Sequence, residues 1–194
     1  MSLNDPAEPD ASAPDVVAPD LSGLHPSTPL REATLEVEEH VSSAGWDQPA
    51  RLFALVETGQ LLAKEPELAE QLGLEAGATA DALTPIEQEL PPDGDLESLL
   101  VAIEWPDAVS GCAVVIERLM LPPDAEDTLP DDPSALRDAV AEHPDRQEVR
   151  LAAAVLRDGS RHSTVRARSS DDAAPLEGPD LVPGLLAALH QTLT

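Results

Sequence analysis

Residues 148–169 read EVRLAAAVLRDGSRHSTVRARS, and this stretch decides the fold class. The Asp158-Gly159 pair at its centre is the strongest short signal for a tight β-hairpin turn. Before the turn, apolar side chains recur at alternate positions and share one face of a strand. After the turn, the same alternation places Val165 and Ala167 on the buried face. The opposite face of this second arm carries His162, Thr164, Arg166 and Arg168. The stretch therefore predicts two antiparallel strands.

Periodic segments upstream predict a helix and two further strands. Thr28-Pro29 can begin a helix, because Thr caps helices and Pro is preorganised for the first helical position. Gly45 is a natural end for that helix. Residues 51–57 are apolar on both faces and residues 111–120 are rich in β-forming types, so both segments predict buried strands. The glutamates expected to face water on the first helix are Glu32, Glu36, Glu38 and Glu39.

The remaining segments predict shorter helices and one loop. A helix from Thr58 to about Leu72 should break at Pro66. Residues 73–94 predict a loop with a short turn, because Thr84-Pro85-Ile86-Glu87 resembles a helix capping box. Three further helices should be capped by Asp95, Asp132 and Asp180, the last with Pro183 in its first turn. The first of these should end before Trp105-Pro106.

This order of elements predicts the α+β class. We expect about four strands in a mostly antiparallel or mixed sheet that is packed against helices. Residues 29–194 should form a single α+β domain. Residues 1–28 hold acids and prolines but no basic residue, which predicts a disordered acidic tail.

The charge balance excludes two classes of partner. The chain has 38 acidic and 11 basic residues, for a net charge of −27. Such a surface repels phosphate backbones and anionic lipid, so we expect neither nucleic acid nor membrane as a partner. The acidity either serves solubility or provides a docking surface for a basic partner.

Motifs for catalysis, cofactors or metal ions are missing from the sequence, so we expect no catalytic residue and no cofactor. Cys112 is the only cysteine and lies within a predicted buried strand, where a thiol usually acts as a small hydrophobic group. One cysteine also excludes an internal disulfide and fits a reducing cytoplasm. Glu36 and His40 stand one helical turn apart and could share a metal ion, but an ordinary surface pair is the simpler reading. The acidic residues 124–132 do not have the spacing of a calcium loop.

Arginines concentrate in one part of the chain. Seven of the ten fall between Arg137 and Arg168. Arg166 and Arg168 share a strand face, and Arg150 can approach them from the facing strand. These three side chains either pair with the protein's own acids or bind an anionic ligand or an acidic partner. In the second case, replacing Arg166 and Arg168 with Ala should abolish that contact.

Several strings resemble an actinobacterial family of conserved hypothetical proteins. They are Gly45-Trp46-Asp47-Gln48-Pro49, Trp105-Pro106-Asp107-Ala108-Val109, Leu156-Arg157-Asp158-Gly159 and Gly178-Pro179-Asp180-Leu181-Val182-Pro183-Gly184-Leu185. The resemblance covers about residues 30–194, and no activity comes with it. In outline, the expected fold is also similar to that of secretion-type chaperones, which often dimerise.

The leading hypothesis is a cytoplasmic, non-enzymatic protein-binding or chaperone-like adaptor whose partner is another protein or a second copy. The alternative is a small-ligand-binding protein or an enzyme, with a pocket between sheet and helices beside Trp46 and Trp105. Convergence of Trp46, Arg51, Asp107 and His162 in one pocket would favour the enzyme.

Overall fold

The computed structural model describes residues 27–74, 81–90, 96–121, 125, 130 and 132–194. Three predictions lie outside these residues: the tail up to residue 26, the cap at Asp95 and most of the acidic loop 124–132.

The described strands form one antiparallel sheet in the order β2-β1-β3-β4-β5-β6. They are β1 (Arg51–Glu57), β2 (Leu83–Gln88), β3 (Gly111–Met120), β4 (Gln147–Leu156), β5 (Arg161–Ala167) and β6 (Leu176–Gly178). The α+β class is confirmed. The expected count of about four strands is too low, because β2 and β6 had not been predicted.

The described helices agree with most of the predicted boundaries. They are α1 (Pro29–Ser42), α2 (Thr58–Lys64), α3 (Pro66–Gln71), α4 (Leu96–Ala102), α5 (Pro133–Glu142) and α6 (Pro183–Gln191). Thr28 caps α1 by accepting a hydrogen bond from the Arg31 amide, as predicted. The predicted cap at Asp180 is wrong, because α6 begins later and Val182 occupies its N-cap. None of the described helices combines the length and apolar character needed to cross a membrane.

The predicted hairpin is β4 and β5. Its turn contains Gly159 with φ of 87°, a left-handed conformation that glycine adopts without strain. The register sets Leu151 opposite Val165 and Arg150 opposite Arg166. The alternation that the sequence indicated is therefore confirmed.

The segment predicted as a loop at residues 73–94 contains β2. Pro85 lies opposite Leu55 in the ladder, and the Thr84 hydroxyl lies 2.8 Å from the Thr58 hydroxyl. Proline cannot donate to a ladder but is tolerated at the edge of a sheet, which is where β2 lies. The string that resembled a helix cap is thus an edge strand.

Helices cover both faces of the sheet and create two apolar layers. On one face, α1 packs Leu30, Val37 and Val41 against β1, β3 and β4. On the other face, α4 and α6 pack against alternate residues of the same strands. The short α2 and α3 extend this second layer over β1. Because α1 lies over β4 and β5, His162, Thr164 and Arg150 on the polar side of the hairpin are buried, and only Arg168 at its end is exposed.

Candidate functional site

Four of the five predicted site residues come together on the face that carries α1. Arg150 and Arg166 face each other across β4 and β5, and Arg168 follows β5 directly. Trp46 belongs to the loop after α1, and its ring lies 4.3 Å from the Arg150 guanidinium carbon and 5.5 Å from that of Arg168. We call Arg150, Arg166 and Arg168 the arginine cluster.

Arg150 is the innermost member of the arginine cluster, with 0% of its surface exposed. Its guanidinium donates to the Ser42 hydroxyl at 2.6 Å, to the Gly45 carbonyl at 2.5 Å and to Glu117 at 2.9 Å. Glu117 in turn accepts a hydrogen bond from the Asp47 amide at 2.7 Å. Arg150 therefore fixes the loop after α1 to the sheet, and it is not part of a basic surface.

Arg166 pairs with a glutamate that the sequence had placed in water. Its guanidinium donates two hydrogen bonds to the Glu38 carboxylate, at 2.7 and 2.8 Å. Glu38 is only 1% exposed. The prediction that Glu38 faces solvent is wrong, because α1 turns this residue towards the polar side of the hairpin. The pairing raises the pKa of Arg166, chiefly through its hydrogen bonds with Glu38.

Arg168 is the exposed member of the arginine cluster. It donates to both carboxylate oxygens of Asp47 at 3.0 Å and to Glu148 at 2.5 Å. These hydrogen bonds raise the pKa of Arg168 and lower the pKa of Asp47. Asp47 has φ of 66°, a left-handed backbone that short polar side chains tolerate best among non-glycine residues. The Arg168 pair thus helps to hold an unusual turn.

Every guanidinium of the arginine cluster therefore bonds to carboxylates of the same chain. This arrangement favours the structural reading of these arginines over the ligand-binding one. Binding of an anionic partner by Arg150, Arg166 and Arg168 stays a prediction.

Trp105 lies on the opposite face of the sheet. Its indole nitrogen donates to the Thr192 hydroxyl at 2.9 Å, next to α6. The two tryptophans are therefore separated by the sheet and do not border one pocket. His162 lies beside Glu177, at 3.3 Å, whereas Arg51 pairs with Glu87 on β2. Arg51 on β1 and His162 on β5 are thus separated by β3 and β4, so the four residues whose convergence would have favoured an enzyme do not meet in one pocket.

Cys112 behaves as a core residue. Its sulfur lies 3.7 Å from the Thr192 hydroxyl, and burial raises the pKa of the thiol to about 11. Because the thiolate is the reactive form, we expect the native protein to resist iodoacetamide at pH 8 and the urea-unfolded protein to react fully. Mass spectrometry of both samples measures this, and rapid alkylation of the native protein would contradict it.

A groove lies on the free side of α1, between that helix and the edge strand β2. It encloses about 620 Å³. Its apolar lining comes from Val37 of α1, Phe53 of β1 and Pro85 and Ile86 of β2, with Leu72 after α3. Leu72 is 42% exposed, so part of this apolar lining is open to solvent. We call this feature the β2 groove.

Acidic side chains border the β2 groove. Glu36 and Glu39 project from α1, and Glu87 projects from β2, with His40 between them. Desolvation raises the pKa of Glu36, and the charge of His40 opposes this only in part. The His40 ring lies 3.7 Å from Glu87 and packs edge-on against Phe53. The arrangement can hold an apolar side chain flanked by cations.

Sequence reasoning had found Glu36 and His40 but not the β2 groove. One wall of the groove, formed by Pro85, Ile86 and Glu87, comes from β2, which had been predicted as a loop. Within the described residues, no three His, Cys, Asp or Glu side chains form a group suited to a metal ion.

Comparison with protein families gives a match over residues 30–194, to the model described as PPA1309-like protein. The chain belongs to the PPA1309-like family. The matched region contains all of α1 except its first residue, together with the described strands of the sheet, the arginine cluster and the β2 groove. No match was found among curated proteins or among solved structures. The family is uncharacterised, so the PPA1309-like match carries no function to these residues.

Proposed function

We propose that this protein is a non-enzymatic adaptor that binds a cationic amphipathic helix of a protein partner in the β2 groove. The observation that carries the proposal is an apolar groove bordered by carboxylates on a strongly acidic chain. The partner would be held in the manner of a chaperone, with its basic helix shielded from other contacts. We place this interaction in a reducing cytoplasm, and the family resemblance of the sequence favours an actinobacterial host.

The shape of the β2 groove suits a helix. α1 has 14 residues and forms one wall, so its length is about 21 Å. A partner helix laid beside α1 would place apolar side chains, one helical turn apart, against Phe53 and Leu72. Burial of such anchors supplies most of the affinity in this mode of recognition.

The acidic border of the β2 groove determines which charge a docked segment must carry. On α1, Glu36 precedes the buried Val37 and Glu39 precedes the exposed His40. Glu87 lines the same groove from β2. Docking a lysine or arginine beside Glu36 would stabilise its charged form and lower its raised pKa. An anionic or purely apolar segment would leave these carboxylates less hydrated without any compensation.

A designed helical peptide of about 18 residues, with leucine on one face and lysine elsewhere, tests the proposal by fluorescence anisotropy. We expect saturable binding that weakens as salt is raised. The double variant Glu36→Gln/Glu39→Gln should weaken binding about tenfold, since two rim carboxylates together supply about 1.4 kcal/mol. Carbon-detected NMR titration should show the pKa of Glu36 falling in the complex.

The matched control is Asp138→Asn/Glu142→Gln, which removes the same charge from the exposed surface of α5. It should bind the peptide nearly as well as the unmodified protein. Equal weakening by both double variants would show that peptide binding depends only on the overall charge of the protein. It would refute binding in the β2 groove. Tighter binding of a leucine–glutamate peptide, lost in Arg168→Ala, would instead assign binding to the arginine cluster.

A further inference from the structure

A second cavity lies where the turn between β4 and β5 meets the beginning of α1. It encloses about 650 Å³, within the range of sites that hold small ligands. Its walls are apolar and come from Pro29, Leu30, Leu83, Leu156 and Pro179. We call it the hairpin cleft. It is at the other end of α1 from the acidic border of the β2 groove and shares no lining residue with it.

The two ends of the hairpin cleft carry opposite charges. Glu57, at the end of β1, and Asp81, just before β2, supply carboxylates at one end. Among the described residues, neither forms an ion pair with a basic side chain; Glu57 accepts only a hydrogen bond from Gln60. Arg161, at the start of β5, supplies a cation at the other end. Because β3 and β4 lie between β1 and β5, the two ends are separated by three strand spacings, or about 14 Å.

Arg161 is available to a ligand. Its one ion pair among the described residues is with Asp180 at 3.4 Å, and both side chains are half exposed. Such a pair contributes little stability, so a ligand carboxylate can replace Asp180 at small cost. This distinguishes Arg161 from the arginine cluster, whose members are held by two or more short hydrogen bonds or by a bidentate pair.

We propose that the hairpin cleft binds a short apolar peptide with free ends. An extended chain advances about 3.3 Å per residue, so four residues span the distance between the two charged ends. The peptide's ammonium group would lie near Glu57 and Asp81, and its carboxylate near Arg161. The apolar walls contact the peptide side chains between these ends, and the hydroxyls of Ser110 and Ser160 can form hydrogen bonds with the peptide backbone. This site is separate from the proposed adaptor function and does not depend on it.

The probe is a set of soluble tetrapeptides with alanine at both ends and valine or leucine in the middle, titrated into ¹⁵N-labelled protein. We expect millimolar or tighter binding, with the largest shifts at the amides of Gly159 and Ser160. Amidating the carboxylate or acetylating the ammonium group should each weaken binding about tenfold, the effect of losing one charge-assisted contact.

Two variants test which protein residues bind each end of the peptide. In Arg161→Gln the free and the amidated peptides should bind equally, and in Glu57→Gln/Asp81→Asn the free and the acetylated peptides should bind equally. Arg118→Gln, an equal change of charge at the exposed end of β3, should behave as the unmodified protein. Equally tight binding of peptides blocked at both ends, or no shift at millimolar concentration, overturns the proposal. The groove variant Glu36→Gln/Glu39→Gln should leave tetrapeptide binding unchanged, so the two proposals can fail separately.

Discussion

Replacing Gly111 with Ala should lower the free energy of unfolding by about 3 kcal/mol, a large effect for one methyl group. Gly111 is the first residue of β3 and pairs with Leu55 on one side and Leu156 on the other. A β-carbon there would overlap the backbone carbonyl oxygen of Val155 and lie 2.5 Å from a methyl carbon of Leu156. The carbonyl belongs to a central strand and cannot move without breaking the ladder.

Urea unfolding followed by circular dichroism measures the effect. Gly184→Ala is the matched control, because no atom outside its own chain neighbours and the adjoining backbone of α6 lies within 4 Å of the position that its β-carbon would occupy. Gly184 is in the first turn of α6, where Ala is the better helix former, so this variant should be neutral or slightly stabilising. Equal stability of the two variants would show that β3 and β4 do not approach as closely as described.

Replacing Arg150 with Met should cost about 3 kcal/mol of stability, as expected when one partner of a buried ion pair is removed. Glu117 would keep a carboxylate that is only 18% exposed without its cation. Ser42 and the Gly45 carbonyl would each lose a donor, and the ring of Trp46 would lose the guanidinium stacked on it.

Two comparisons separate burial of charge from loss of packing. The double variant Arg150→Met/Glu117→Gln should recover part of the loss, because no unpaired carboxylate remains. Arg161→Met removes a half-exposed pair and should change stability by less than about 0.5 kcal/mol. If Arg150→Met were as stable as Arg161→Met, the buried network would not be what fixes the loop after α1.

The sequence was sufficient for elements whose signals are local. The Asp158-Gly159 turn specifies the hairpin because glycine there allows a positive φ. Residues 51–57 read as a central strand because side chains on both of its faces are apolar, and both faces are indeed covered. Thr28-Pro29 specifies the beginning of α1 through a cap that the structure contains.

Elements that depend on distant partners could not be predicted in this way. β2 has a proline at its third position and becomes a strand only because β1 needs a neighbour at that edge. β6 has three residues, too few for any period to be recognised. Without β2, neither the β2 groove nor the carboxylate end of the hairpin cleft could be anticipated.

The partners of the buried charges could not be predicted either. On α1 the apolar Leu30, Val37 and Val41 face the core, whereas the prediction that Glu38 faces water rested only on the polarity of glutamate. Glu38 is buried because Arg166 lies 128 residues further along the chain and directly opposite it. Local pattern identifies the side of a helix, whereas the residue that compensates a buried charge is fixed by tertiary structure.

The placement of the two tryptophans gives the protein two built-in optical reporters. The chain has no tyrosine, so its near-ultraviolet emission comes almost entirely from Trp46 and Trp105. The indole of Trp46 is stacked on a guanidinium beside α1, whereas that of Trp105 donates a hydrogen bond beside α6. A chain that keeps only one of them would therefore report on one side of the sheet alone. The two emission curves together reveal whether both sides melt in a single step.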